Sequence, residues 1–315
     1  VTEMGLVLPM VRIRDNLRLN PQAYRIKIRG EEVAQGELML ERYLAIASSE
    51  SDEPLSGLPT TEPAFGLPAT WITEAEKGRA ELLEYTVVDP ISVLATHLTE
   101  VIRHQAPDLL GRQEVQEMLD RLKMERPAVV DGLVPEVLSL GEVQAVLRNL
   151  LRERIPIRDL GGILEVLANN GVVTRDPSIL AEAVRQSMAR TISNQYRDSS
   201  GTVHVFTLSP ELEATLRASL ASEDGGLNFQ LDPVLAQGIL TQTGGQMERL
   251  AQTGYPPIVL VARELRLAFL RMISRSLPNL TVLAFSEISK GTRVKGHGMV
   301  EIPSNHVEGV FGDQQ

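Results

Sequence analysis

The stretch EYTVVDPISVLATHLTEVIRHQ, residues 84–105, decides the fold class. EYTVV is a short strand rich in β-branched residues. Asp89-Pro90 follows as a helix N-cap with proline at the first helical position, where its missing N–H costs nothing. Leu94, Leu98, Val101 and Ile102 then recur at helical spacing as an apolar stripe. A strand that feeds a capped amphipathic helix is an α/β element. TEAEKGRAELL, just upstream, reads as a short helix, so residues 41–105 run β-α-β-α.

Towards the amino terminus, residues 9–47 read as β structure. VRIRD alternates, and YRIKIRG puts Tyr24, Ile26 and Ile28 on one face with Arg25, Lys27 and Arg29 on the other. Asn20-Pro21 supplies the turn between them. A loop of about 16 residues follows, SSESDEPLSGLPTTE, and loops that long are commonly functional or disordered. It leads into TEPAFGLPATWIT, residues 61–73, where a chain with 4% aromatic residues places Phe65 and its single tryptophan, Trp71, among Pro59, Pro63 and Pro68. Two readings stand open. Phe65, Leu67, Trp71 and Ile72 either tuck a loop against the sheet, or prolines hold an apolar side chain at a surface groove for a partner.

Towards the carboxyl terminus, residues 109–196 turn helical. Val115, Met118, Leu119 and Leu122 make one stripe, Val143, Val146, Leu147, Leu150 and Leu151 another, and Leu160, Ile163, Leu164 and Leu167 a third, all of them core patterns. Asp176-Pro177 starts a further helix in the cap-then-proline style. NQYRDSSGT is a polar break. Beyond it the order is β-α-α-β-α-β, a small α/β unit, with RVKGHGMVEI as a further edge strand and the last ten residues loose. The single connection through residues 194–201 would let this last unit reorient.

Composition narrows the function. A chain of 315 residues, 43% hydrophobic, is long enough for two or more cores. No apolar run approaches the roughly 20 residues that cross a bilayer, and the start lacks the pattern of a signal peptide. Without cysteine, thiolate chemistry and disulfides are excluded, in keeping with a reducing cytoplasm. A net charge of −10 argues against sequence-independent nucleic-acid binding, which needs a basic face. Residues 31–62 hold eight acids against one base, Arg42, so the acidic region borders the aromatic one.

Catalytic signatures are missing. Neither a P-loop nor a dinucleotide-binding glycine pattern occurs, and Gly161-Gly162 and Gly244-Gly245 sit inside helical patterns. His97 and His104 share a helix face seven positions apart, the wrong spacing for one metal ion. His204 alternates with Val203 and Val205, so it faces outward or meets a hydrogen bond in the core. No Gly-x-Ser-x-Gly elbow marks a nucleophile. An enzyme with its site near Ser209 or Arg263 is one reading left open, and a purely structural subunit another; no enzyme activity and no cofactor are expected.

Four ordered stretches carry a resemblance: MVRIRDNLRLNPQAYRIKIRGEEVAQGEL, EPAFGLPATWI, YTVVDPISVLATHLTEVIRHQAPDLLGRQEVQEMLD and LRNLLRERIPIRDLGGILEVLA. In this order they resemble the cytoplasmic domain of the type III secretion export gate family over about residues 6–288, the flagellar branch more than that of virulence injectisomes. The resemblance implies an α+β multidomain fold with four subdomains: a split α/β first (1–40 and 90–108), an inserted small α/β second (41–89), a helical third (109–193) and the β-α-α-β-α-β fourth (194–288), before a tail (289–315). It implies a soluble part on the cytoplasmic side of the bacterial inner membrane, cut from a longer membrane protein whose first subdomain is shortened at Val1, and self-association into a ring. Flagellar export chaperones with bound substrates, other export components including the ATPase complex, and no nucleic acid are the implied partners. The chaperone-docking dimple carries over onto Ile46, Phe65, Val88 and Thr96, with Glu62 as acidic neighbour where aspartate is common. Trp71 is assigned to the core, and nothing carries over to the tail.

Overall fold

The computed structural model describes residues 4–6, 11–47, 53–223 and 226–303; the loose last ten residues expected above lie outside that range, as does part of the long loop. The chain forms two compact units, Val1–Glu117 with Pro156–Arg158, and Met118–Ile155 with Asp159–Gln315.

In the first unit, β1 (Ala23–Ile28) and β2 (Glu31–Glu37) form an antiparallel hairpin. Arg29 and Gly30 both take positive φ, the backbone that a two-residue hairpin turn requires. The alternation holds: Tyr24, Ile26 and Ile28 are half-buried, Arg25 and Lys27 exposed. VRIRD behaves differently. Residues 11–15 form no strand, with Val11 59% and Ile13 93% exposed. Alternation makes a strand only where a neighbour accepts its hydrogen bonds, and no described strand pairs here.

The remainder of this unit is β3 (Tyr43–Ile46), β4 (Leu58–Thr61), β5 (Pro68–Ile72), α1 (Glu74–Leu82), β6 (Thr86–Val88) and α2 (Pro90–Leu109). Its four strands make an antiparallel sheet in the order β4-β5-β3-β6. The expected β-α-β-α order is therefore incomplete, because the segment read as a loop contains β4 and an antiparallel hairpin. Proline hid it. Pro59 lies on edge strand β4 and Pro68 opens β5, the two places where a strand tolerates a missing N–H. Alternation sorts the sheet faces. Leu44, Ala69 and Trp71 pack with Val93 of α2, and Ala45 and Ile72 pack with Ala80 of α1. Trp71 is 3% exposed, the core role assigned to it. Asp89 caps α2 by accepting from the backbone N–H groups of Ile91 and Ser92, ahead of Pro90.

Helix α3 (Arg112–Glu125) leads into the second unit, where α4 (Pro127–Asp131), α5 (Leu140–Arg152), α6 (Leu160–Gly171), α7 (Pro177–Ser187) and α8 (Ala189–Tyr196) precede the α/β part. That part runs β7 (Thr202–Leu208), α9 (Pro210–Ala218), β8 (Leu220–Glu223), β9 (Gly226–Phe229), α10 (Pro233–Gln252), β10 (Ile258–Val261), α11 (Arg266–Ile273), β11 (Thr281–Ala284) and β12 (Arg293–Val300). Its main sheet is parallel in the order β11-β10-β7-β12, with β12 the expected edge strand. The β8–β9 hairpin is an addition to the expected order.

Helical run and parallel sheet share this one unit, joined by a buried charge network. Arg185 of α7 reaches Glu287 at 2.5 Å and Glu153 at 3.0 Å, and Arg266 of α11 reaches Glu153 at 2.6 Å and also pairs with Glu182. Burial opposes the Glu153 carboxylate, yet the two arginines outweigh it and hold its pKa below the ordinary value. Reorientation about residues 194–201 would have to break these pairs.

Candidate docking site

The turn between β4 and β5, residues 62–67, is built around Glu62. Its backbone N–H donates to the Leu67 carbonyl at 2.8 Å, and its carbonyl accepts from Gly66 N–H at 3.0 Å. Pro63 has no N–H to give, so the Glu62 carboxylate accepts from the next two residues, Ala64 at 2.9 Å and Phe65 at 2.7 Å. Gly66 closes the turn at φ +72°, in the left-handed region open to glycine. The outcome is asymmetric: Glu62 is 3% exposed and Phe65 61%.

Of the other expected residues, Ile46 ends β3 opposite Ala69 and Thr86, and Val88 ends β6 opposite Leu44. Both are half-buried and share the apolar cluster that faces α2. Thr96 is exposed on α2, and Phe65 stands outside the cluster. Tertiary structure thus gathers Ile46 and Val88, while Glu62 and Phe65 form a separate pair on the turn.

Beside the turn lies a cavity of about 330 Å³ whose walls include Val33 and Ala34 of β2, Pro63 and Ala64 of the turn, and His97 and Glu100 of α2. None of the five expected residues lines it. His97 is 6% exposed, and its Nδ1 meets the Tyr24 hydroxyl at 2.6 Å. Burial, and then the charge of Glu62, push the Tyr24 pKa up to about 12. Burial also holds His97 below its ordinary value, against the opposing pull of Glu62. Neither Tyr24 nor His97 entered the expected site, although His97 falls four residues after Val93 and four before Val101, on the helix face both bury.

Elsewhere, His204 follows the second of its two expectations. It is 5% exposed, with Nδ1 2.7 Å from His297 Nε2 and Nε2 3.0 Å from an Asp198 oxygen. Ser209 caps α9 by accepting from Leu212 N–H. Among the described residues no group of three His, Asp or Glu side chains is placed to hold a metal ion, and no helix is long and apolar enough to cross a membrane.

Flagellar biosynthesis protein FlhA of Bacillus subtilis is 40% identical over 300 residues, 95% of this chain and 44% of the relative. That of Escherichia coli is 41% identical over 293 residues, 93% of this chain and 42% of the relative. The chain spans less than half the length of these curated relatives. Among solved structures, the Chlamydia pneumoniae CdsV protein matches with a TM-score of 0.85 at 25% identity, over 95% of this chain and 87% of that one. The nonameric SctV-C of EPEC matches in fold with a TM-score of 0.78 at 22% identity, over 95% and 90%. The FHIPEP family matches residues 1–293, nearly the whole sequence, and the chain belongs to that family.

Proposed function

We propose that the chain is the cytoplasmic domain of a flagellar type III protein export gate: a non-catalytic platform at the cytoplasmic side of the inner membrane that docks export chaperones with bound substrates and orders their export. The observation that carries this reading is Phe65, a large aromatic side chain left 61% exposed by a turn whose backbone is tied down. Apolar side chains held out on ordered elements are what protein partners use as anchors. Half-buried Ile46 and Val88 on the sheet and exposed Thr96 on α2 would add to the docking surface.

The flagellar assignment is supported by the identity to the flagellar relatives, 40% and 41%, against 25% and 22% to CdsV and SctV-C. The gate domain of a virulence injectisome is the second reading, favoured only by the likeness of fold. In its full-length protein the chain would be one subunit of a ring, as SctV-C is nonameric. Other export components, the ATPase complex included, would be further partners. Calorimetric titration of the purified chain with chaperone–cargo complexes from its own genome tests the proposal. Binding that Phe65→Ala weakens is expected, and binding indifferent to Phe65, or none by the parent chain, overturns it.

A further inference from the structure

We infer that Glu62 is a positioning residue for docking: its buried carboxylate holds the 62–67 turn in the shape that projects Phe65, and it makes no contact of its own with the partner. The inference rests on the docking reading above. It departs from the role that sequence implies for Glu62, an acidic neighbour offered to the partner.

Geometry carries the argument. Glu62 takes part in four hydrogen bonds across the turn, two through its backbone and two through its carboxylate, and each carboxylate oxygen is committed to a backbone N–H group. Charge-assisted bonds of this kind are shorter and stronger than neutral ones. At 3% exposure the residue has almost no surface to present, and a partner that claimed its carboxylate would free the N–H of Phe65, the anchor itself. On its inner side the charge acts on Tyr24 of β1, which is bonded to His97 of α2. Burial, the larger influence on both, disfavours the charged form of each ring, in keeping with a carboxylate whose hydrogen bonds are already taken up by the turn.

The benefit to binding is preorganisation. Without the carboxylate, the turn keeps only its two backbone bonds, and ordering it against a partner would cost conformational entropy at each freed residue. A turn fixed before the encounter avoids that cost.

Three substitutions separate the roles. Glu62→Asp keeps acceptors for N–H groups two and three residues ahead, a local arrangement aspartate adopts readily, so it should behave as the parent. Glu62→Gln keeps one acceptor and opposes an NH₂ to the second N–H. Glu62→Ala removes both. Hydrogen exchange at the Ala64 and Phe65 amides, measured without partner, should quicken about tenfold or more in the alanine variant and stay within about twofold in the aspartate variant. Binding of the chaperone–cargo complex should weaken about tenfold in Glu62→Ala, recover in Glu62→Asp, and show almost no effect of Glu62→Ala when Phe65→Ala is already present.

A direct acidic contact would give a loss that persists in the Phe65→Ala background and shrinks with added salt, and that result overturns the inference. Unchanged exchange at both amides overturns it too, whatever becomes of docking. Quickened exchange together with undiminished binding by Phe65→Ala would instead overturn the docking reading and the inference with it, while leaving the turn's dependence on Glu62 intact. Glu62→Gln supplies the same comparisons if the alanine variant does not fold.

Discussion

Replacing Phe65 and Trp71 separately by alanine should divide binding from stability within a single hairpin. Burying such a side chain completely stabilises a fold by about 1.5–3 kcal/mol. Phe65 is 61% exposed, so truncating it forfeits at most roughly 1 kcal/mol. Trp71 is 3% exposed and packs with Leu44, Ala69 and Val93; its removal adds a cavity and costs about 3–5 kcal/mol. At roughly 4 °C per kcal/mol for a unit of this size, melting falls by about 4 °C or less in Phe65→Ala and by more than about 10 °C in Trp71→Ala. Binding should sort the other way, with Phe65→Ala losing about 2 kcal/mol, some thirtyfold in affinity, as an interface anchor does. Calorimetric melting and titration of both variants check the pair. A Phe65→Ala chain that melts as low as Trp71→Ala and binds like the parent would make Phe65 a core residue and refute the reasoning.

Other consequences follow from the second unit. Arg266→Met should cost about 3–5 kcal/mol by leaving Glu153 and Glu182 without their shared cation, read as a lowered denaturant midpoint. Ser139→Ala removes half of a reciprocal cap, in which Ser139 N–H donates to the Glu142 carboxylate at 2.6 Å and the Ser139 hydroxyl accepts from Glu142 N–H at 3.3 Å; about 1 kcal/mol should be lost, visible in the same denaturation curves. Acid should loosen β12. Burial, and then the charges of His204 and Lys295, hold the His297 pKa below its ordinary value. The unfolded chain therefore takes up that proton first, so stability is complete above about pH 6.5 and declines as pH falls below it. Melting between pH 7.5 and 5.5 should show the decline, and His297→Gln should reduce it.

Much of the secondary structure was legible because its determinants are local. Asp89-Pro90 and Asp176-Pro177 start helices through hydrogen bonds that reach only two or three residues ahead, so sequence and structure agree there. Stripes such as Val143, Val146, Leu147, Leu150 and Leu151 declare a buried face at helical spacing, and each is 1% exposed or less. Strands were less secure. VRIRD has the alternation of a strand and pairs with no described one, whereas β4, interrupted by Pro59, is a strand because β5 lies beside it. Half of a strand's definition belongs to its neighbour, which local sequence does not name.

The candidate site divides in the same way. Phe65 stood out from the sequence alone as one of few aromatics in a proline-rich stretch, and the chain's acidity already argued against a nucleic-acid partner. Exposure was a different matter. Nothing local distinguishes Phe65 from Trp71, six residues on; the alternation of β5 turns Trp71 towards Val93 of α2, and the turn at 62–67 leaves Phe65 outside. Glu62 is the sharper case, since an acid in a strongly acidic stretch reads as solvated charge. Only the folded hairpin brings the N–H groups of Ala64 and Phe65 onto its two oxygens, and only the packing of β1 and α2 behind it sets Tyr24 and His97 near that charge. Sequence determined which side chains were present and where helices begin; tertiary structure decided which of them are dry, because burial depends on elements that meet only when the chain has closed around them.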